Sequence, residues 1–255
     1  GLLRQSVYAR IAGYEDTNDA DYLRSDPTVR AIVDRLDEPG GAASSSEMGR
    51  FETEYLPNVM NFGTMRTLPG LWVPRTQQYC PVGRIVLDMD SSGSPTHEDQ
   101  EGTAYNGHLD MEGYHPLFCF NQFGDVEGTM LRPGNVHSAE QWEKLLEPIV
   151  DRYRGRGIDR YFRGDAAFAK PEIYRYLEDE GFLYAIRLPA NEVLYREIKD
   201  LTEPSSGRPA RCRQLRYRSF QYQTEAWQKP RRVVASVAWE AGDLFPKVGF
   251  VVTNL

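Results

Sequence analysis

The stretch RIVLDMDSS (84–92) constrains the fold more than any other part of the chain. Its short aliphatic run lies between Gly83 and a Ser-Gly-Ser-Pro loop, which is typical of a buried central strand. Alternation along a strand puts Asp88 and Asp90 on one face, near the C-terminal end where open α/β sheets bind ligands. Paired carboxylates there favour a bound cation, whereas a single D-x-D is more often a loop cap beside a solvated side chain.

A second strand ending in a carboxylate follows at Ile158–Asp165 (IDRYFRGD). If the two strands are neighbours, Asp90 and Asp165 converge, and hard oxygen ligands of this kind bind Mg²⁺ or Mn²⁺. Two ligands alone make a weak metal site, so at least one further carboxylate is expected.

The order of elements predicts the fold class. Three strands, a helix, a strand, a helix and a strand predict a mixed α/β sheet flanked by helices. Two of these strands are predicted at Tyr105–Leu109 and Tyr114–Phe120 with a turn at 110–113, although Asn106-Gly107 favours a different hairpin register. The last strands are predicted within Leu215–Gln223, Arg232–Trp239 and Val248–Thr253.

The helix between the two carboxylate strands is predicted from an apolar stripe. Ser138 and Gln141 form a capping box before it, and Pro148 predicts a kink or an early end. The stripe has helical spacing and is expected to face the core. It consists of Trp142, Leu145, Leu146, Ile149, Val150 and Tyr153.

Patterning divides the chain into four regions. Residues 1–56 are predicted to be helical, with one helix start at Asp26-Pro27 and N-cap candidates for another short helix in Ser44-Ser45-Ser46-Glu47. Residues 57–83 are rich in proline and glycine and form a connection. Residues 84–199 form the core, and residues 200–255 are β-rich.

Cysteine spacing and hydropathy indicate the cellular compartment of the protein. Cys80, Cys119 and Cys212 lie far apart without a C-x-x-C pair, which favours a reducing compartment and indicates a cytoplasmic protein. No apolar run is long enough to span a bilayer, so no membrane partner is expected. The four histidines are scattered, and each is expected at the surface or hydrogen-bonded in the core rather than as a ligand.

The net charge of −7 is unevenly distributed. Residues 81–157 carry 6 basic and 13 acidic side chains, whereas residues 211–255 carry 8 basic and 3 acidic ones. A basic, aromatic-rich C-terminal region favours contacts with DNA phosphates, and a solvated β-region explains it equally well. The candidate DNA-binding residues are Arg211, Arg213, Arg216, Arg218, Arg231 and Arg232.

Several motifs together resemble a known family. In order along the chain they are AGYEDTNDADYLRSDP (12–27), MGRFE (48–52), LDMDSS (87–92), YNGH with GYHPL (105–117), LRPGNVHS (131–138) and RGDAAFA (163–169). In this order and spacing the chain resembles bacterial insertion-sequence transposases of the DDE type.

The resemblance implies a ribonuclease H-like core within 84–199 and a β-rich insertion at 200–255. It implies an enzyme that cuts and joins double-stranded DNA at insertion-sequence ends with two divalent ions, acting as a homodimer on DNA in the nucleoid. Asp90 and Asp165 match the first two metal ligands of the family, and Asp88 is the second choice for the first ligand. No acidic residue between 189 and 255 matches the third, a Glu, so we expect the chain to lack its C-terminal end and to be inactive alone. A non-catalytic DNA-binding module, a metal-dependent nuclease and a glycosidase remain alternatives.

Overall fold

A computed structural model describes residues 1–97, 100–203 and 212–255. The chain divides into two compact units, Gly1–Leu68 and Pro69–Leu255. Among the described residues, no helix combines the length and apolarity that a membrane span requires.

The first unit is helical, as predicted. Asp26 caps a helix by accepting the N–H groups of Thr28 and Val29, and Ser44, one of the candidate caps, forms a complete capping box with Glu47. Its helices are α1 (Leu2–Ile11), α2 (Ala20–Leu23), α3 (Pro27–Ile32), α4 (Ser45–Arg50) and the start of α5 (Val59–Tyr79), with a 3₁₀ turn at Thr17–Asp19 and a π turn at Phe51–Tyr55.

Helix α1 turns its polar side inward. Leu3 and Ile11 are 50% and 75% exposed, whereas Gln5 and Ser6 are buried. The Gln5 amide makes two hydrogen bonds with the backbone of Ala43, donating at 2.9 Å and accepting at 2.8 Å. Paired hydrogen bonds of this kind satisfy a buried amide, so polar contacts hold this helix in addition to the packing of Leu2 against a small apolar cluster.

Helix α5 differs from the expectation for residues 57–83. The prolines were expected to interrupt regular structure, yet Pro69 and Pro74 lie inside a 21-residue helix. Each proline removes one backbone hydrogen bond. Tertiary contacts offset this loss, because Val73 and Gln77 are buried and the Gln77 amide donates to the Tyr153 hydroxyl at 3.1 Å.

The second unit is built on an eight-stranded mixed sheet, as predicted. β7 runs parallel to β1, and β8 runs parallel to β7; the remaining pairs are antiparallel. The spatial order is β6-β5-β1-β7-β8-β11-β10-β9. The strands are β1 (Arg84–Ser91), β5 (Leu117–Phe120), β6 (Val126–Met130), β7 (Asp159–Gly164), β8 (Leu183–Leu188), β9 (Gln214–Tyr222), β10 (Arg231–Trp239) and β11 (Lys247–Thr253).

Four helices and a 3₁₀ turn pack on one side of this sheet, which we call the helical face. The predicted apolar stripe of the first of these helices is entirely buried there. The elements are α6 (Trp142–Tyr153), the turn Ala166–Phe168, α7 (Pro171–Asp179), α8 (Glu192–Glu197) and α9 (Lys199–Thr202). Their buried side chains join Leu87, Phe162 and Val233 in one core.

The opposite side, which we call the open face, is less covered. Along β1, β8 and β10, fully buried residues alternate with half-exposed ones. The half-exposed residues include Val86, Tyr161, Leu183, Val234 and Val251, and none of them belongs to the core that α6–α9 complete.

Two local predictions near the core strands are wrong. The favoured hairpin register fails because β3 (Ala104–Asn106) pairs with β4 (Met111–Tyr114), so 107–110 is the turn, as the Asn106-Gly107 signal indicated. The Ser138 capping box does not form: α6 begins at Trp142, after Gln141 in a left-handed conformation with φ 58°. Pro148 lies inside this helix without ending it, because the last turn as far as Tyr153 is buried in the core; the kink that was the other expectation at Pro148 stays a prediction.

Candidate active site

Asp90 and Asp165 lie side by side at the same edge of the sheet. In the parallel pairing of β1 with β7, Met89 lies opposite Gly164, so the next residues along the two strands are Asp90 and Asp165. Met89 points into the core, and alternation turns Asp90 to the open face. Parallel neighbours lie about 4.8 Å apart, so the two carboxylates reach the same space. Both are exposed and line one cleft of about 750 Å³.

Each of these carboxylates uses one oxygen locally. Oδ1 of Asp90 accepts the N–H of Ser91 at 2.8 Å, and Oδ1 of Asp165 accepts the N–H of Ala167 at 3.0 Å. The second bond caps the 3₁₀ turn that follows β7. Within the described part of the chain, Oδ2 of neither residue has a hydrogen-bond partner. One oxygen on each side chain is therefore free to bind a hard cation.

The Asp88 carboxylate forms an ion pair with another residue. Its Oδ2 accepts from Nη2 of Arg163 at 2.5 Å, and the two residues are register partners on β1 and β7. The pair lies on the open face, two residues before Asp90 and Asp165. This arrangement supports Asp90 over Asp88 as the first candidate ligand.

A small second sheet forms another wall of the cleft. β2 (Ser94–Pro95), β4 and β3 follow β1 and pair in the order β2-β4-β3. The Asn106 side chain fixes its turn, because Oδ1 accepts the N–H groups of His108 and Leu109 at 3.0 Å and Nδ2 donates to the Gly134 carbonyl at 2.7 Å. The Tyr105 hydroxyl donates to Asp110, which raises the pKa of Tyr105 because its phenolate would face a carboxylate.

The match to known families extends over the whole chain. Residues 1–255 match the family model described as transposase DDE domain, group 1. The chain belongs to this family.

Two further similarities of this transposase DDE domain are partial. A stretch of 71 residues is 34% identical to Protease 4 of Haemophilus influenzae, covering 26% of the chain and 11% of that protein. The cryo-EM structure of the piggyBac transposase synaptic complex with hairpin DNA is similar over 84% of the domain and 44% of that chain, with 12% identity and a TM-score of 0.37. The domain thus spans less than half of either protein.

Three histidines of the transposase DDE domain line the cleft: His108, His115 and His137. Spacing along the chain gave no sign that they converge, and they were expected to be scattered. The three histidines occur in the motifs YNGH, GYHPL and NVHS, and nothing within these motifs indicates that they meet. Their convergence depends on the pairing of the small sheet with residues 133–134.

Most of the predicted DNA-binding arginines contact protein groups. Arg218 makes a two-pronged ion pair with Asp200 at 2.6 Å, Arg213 pairs with Glu240 at 3.3 Å, and Arg232 donates to Ser219 and to the Leu255 carbonyl. Nη2 of Arg216 lies 3.4 Å from the Gln214 amide oxygen. Arg211 lies outside the described residues. Phosphate contacts by the exposed arginines remain a prediction.

The prediction for Arg231 needs correction. Its side chain is 4% exposed and donates to both oxygens of Glu178, at 2.8 and 3.1 Å. Its guanidinium also lies over the rings of Tyr174 and Trp227. Arg231 therefore supports the core of the transposase DDE domain and does not offer its charge to a phosphate.

The carboxylate oxygens of Asp90 and Asp165 are suitable ligands for a hard divalent ion, but two carboxylates are fewer than such a site is expected to have. Among the described residues, no group of three or more His, Cys, Asp or Glu side chains is arranged to hold a metal. Divalent Mg²⁺ takes one or two carboxylates and fills its remaining positions with water and phosphate oxygens. Two aspartates alone therefore give a site whose metal affinity depends on the substrate.

Proposed function

We propose that this chain is the catalytic domain of a DNA transposase, with Asp90 and Asp165 as ligands of Mg²⁺ or Mn²⁺. The supporting observation is the placement of these aspartates on adjacent parallel strands in one cleft of a transposase DDE domain. The proposed substrates are the ends of an insertion sequence and its target DNA. The proposed assembly is a homodimer on DNA in the cytoplasm, associated with the nucleoid.

When bound, a pair of such ions activates an attacking oxygen and stabilises the leaving oxygen of a phosphodiester. The contribution of the protein is position. The hydrogen bonds from the N–H groups of Ser91 and Ala167 orient the two carboxylates, and both residues line the cleft. The nucleophile is water or a 3′-hydroxyl, and no protein side chain becomes covalently attached.

We further propose that the third carboxylate is supplied by a segment that covers the open face, as in a ribonuclease H-like fold. Parallel strands normally have both faces covered, yet β1, β7 and β8 leave Val86, Tyr161 and Leu183 half-exposed. A segment packed over these residues would lie next to Asp90 and Asp165. The described residues do not supply this carboxylate themselves.

A second candidate function follows from the same ligand count. With two carboxylates the chain is a DNA-binding or assembly module that needs a third ligand for cleavage. In this case the purified chain binds DNA and does not cut it in Mg²⁺ or Mn²⁺. Cleavage that appears only when the covering segment is added would support both proposals together.

The test compares Asp165→Asn with Asp159→Asn in the active protein. Asp159 is a matched control because it is exposed and lies at the opposite end of β7. We expect Asp165→Asn to abolish metal-dependent strand cleavage while DNA binding persists, and Asp159→Asn to retain both. Normal cleavage by Asp165→Asn would refute the assignment, and cleavage of a glycoside without divalent ions would favour the glycosidase alternative.

A further inference from the structure

Arg132 is a buried cation that holds the backbone behind the cleft wall. The residue is 2% exposed, and Nε donates to the His115 carbonyl at 2.9 Å. Nη1 donates to the carbonyls of Ser138 and Glu140 at 3.0 and 2.7 Å, and lies 3.3 Å from that of His137. A single guanidinium thus joins the two segments that carry cleft histidines.

The charge of Arg132 has no ion-pair partner among the described carboxylates. Nη2 is buried and has no hydrogen-bond partner among the residues that the structure describes. Burial lowers the pKa of Arg132, and the nearby charge of Glu140 offsets this only in part. A buried cation without a paired anion is costly, and carbonyl dipoles compensate incompletely. An anion in the adjacent cleft would reduce that cost.

The hydrogen bonds of the two histidines fix which ring nitrogen carries a proton. Nδ1 of His115 lies 3.0 Å from the Val136 carbonyl, which only accepts, so this nitrogen is protonated. Nδ1 of His137 accepts the N–H of Ala139 at 3.2 Å, so in the neutral ring the proton is on Nε2. His137 therefore presents an N–H donor through Nε2. His115 has an N–H donor at its own Nε2 only when its ring is protonated.

We propose that His115 and His137 bind a phosphate of the substrate DNA strand in the cleft, with Arg132 as the positioning residue behind them. The inference deepens the proposed function and rests on it for the identity of the strand. A phosphate suits the Nε2–H donor of His137 backed by a buried cation, and it gains a second donor when the His115 ring is protonated, whereas the same cation disfavours a metal ion at these rings. The histidines would hold the strand while Asp90 and Asp165 face the bond that is cut.

The direct test is titration of the full 255-residue chain with inorganic phosphate, and then with a DNA duplex, without divalent ions. Imidazole ¹⁵N signals are recorded by NMR for the four histidines. We expect the His115 and His137 signals to move with both ligands. His97 is the internal control because it is exposed and does not line the cleft. DNA binding that leaves the signals of His115 and His137 unchanged would overturn the proposal.

Variants separate contact from positioning. His137→Gln keeps an N–H donor and is expected to bind phosphate within about 3-fold of the natural chain, whereas His137→Leu should bind about 10-fold more weakly, the equivalent of one hydrogen bond to a charged group. His97→Leu is the matched control and should have no effect. Unchanged phosphate affinity in a His115→Leu/His137→Leu double variant would overturn the proposal.

Arg132→Gln tests the positioning role through the imidazole ¹⁵N shifts, which a change in stability alone does not alter. We expect its His115 and His137 ¹⁵N shifts to lose their distinct tautomer pattern and their response to phosphate. If this variant does not fold, the histidine variants decide, because they retain Arg132. Failure of the proposed function looks different: phosphate would still shift the signals of both histidines while the chain does not bind DNA. That result would support the anion site and refute DNA as its substrate.

Discussion

Asp88 and Arg163 form an ion pair across β1 and β7, with Oδ2 and Nη2 2.5 Å apart. The two residues are direct register partners, and Asp90 and Asp165 follow each of them by two positions. The pair therefore marks the face on which the candidate ligands lie. It also distinguishes two aspartates of the D-x-D motif that are equivalent in sequence.

The first prediction separates these two aspartates. Asp88→Asn should keep metal-dependent cleavage within about 5-fold and change the free energy of unfolding by about 0–1 kcal/mol, because the pair it breaks is exposed. Asp90→Asn should abolish cleavage because it removes a ligand charge. Cleavage assays and urea unfolding of both variants check this, and the reverse pattern would make Asp88 the ligand.

The second prediction concerns the buried Arg231. Arg231→Leu leaves Glu178 with Lys229 at 2.9 Å but removes its two-pronged partner. Breaking a buried ion pair lowers the free energy of unfolding by about 3–5 kcal/mol. We expect a loss near the lower value because Lys229 still pairs with Glu178. Urea unfolding should show the loss, with Arg213→Leu as a control near zero because its pair is exposed. DNA affinity that falls without any loss of stability would contradict the structural role.

The third prediction is a pH dependence that originates at Glu178. Burial raises its pKa, but hydrogen bonds from Arg231, Lys229 and Tyr184 outweigh burial and hold the pKa below the ordinary value of 4.5. A lowered carboxylate pKa stabilises the fold above the unfolded-state pKa, and this contribution is lost as the pH falls through the folded-state pKa. The stability difference between the natural chain and Glu178→Gln should be constant from about pH 7 to about pH 5 and shrink below about pH 4.5. Denaturant unfolding across this range checks the sign.

The fourth prediction concerns the cleft wall at Gly134. A Cβ there would lie 2.2 Å from the Ala104 carbonyl oxygen and 2.7 Å from that of Gly113. Backbone atoms cannot move aside cheaply, so Gly134→Ala should destabilise the second unit by about 1–3 kcal/mol and reduce DNA cleavage. Gly83→Ala is the matched control, because its Cβ would meet nothing within 4 Å. Equal stability of the two variants would show that the small sheet is not packed as described.

The sequence by itself determined the elements whose signals are local. The cap at Asp26, the Ser44–Glu47 capping box, the buried stripe of α6 and the alternation along β1 all depend on residues within a few positions of one another. Such patterns can be recognised in the sequence alone because they follow the period of a helix or a strand or lie at its end. They were sufficient to predict a mixed sheet with carboxylates at its strand ends.

Only the tertiary structure decided features that join distant residues. Asn106 reaches Gly134 across 28 positions, and Arg132 holds the carbonyls of Ser138 and Glu140, the segment in which a capping box was predicted. Arg231 was predicted to contact DNA, but its buried side chain donates a hydrogen bond to Glu178, which lies 53 positions earlier in the chain. Spacing along the chain does not encode such contacts, since their free energy depends on which backbones and charges the finished sheet brings together.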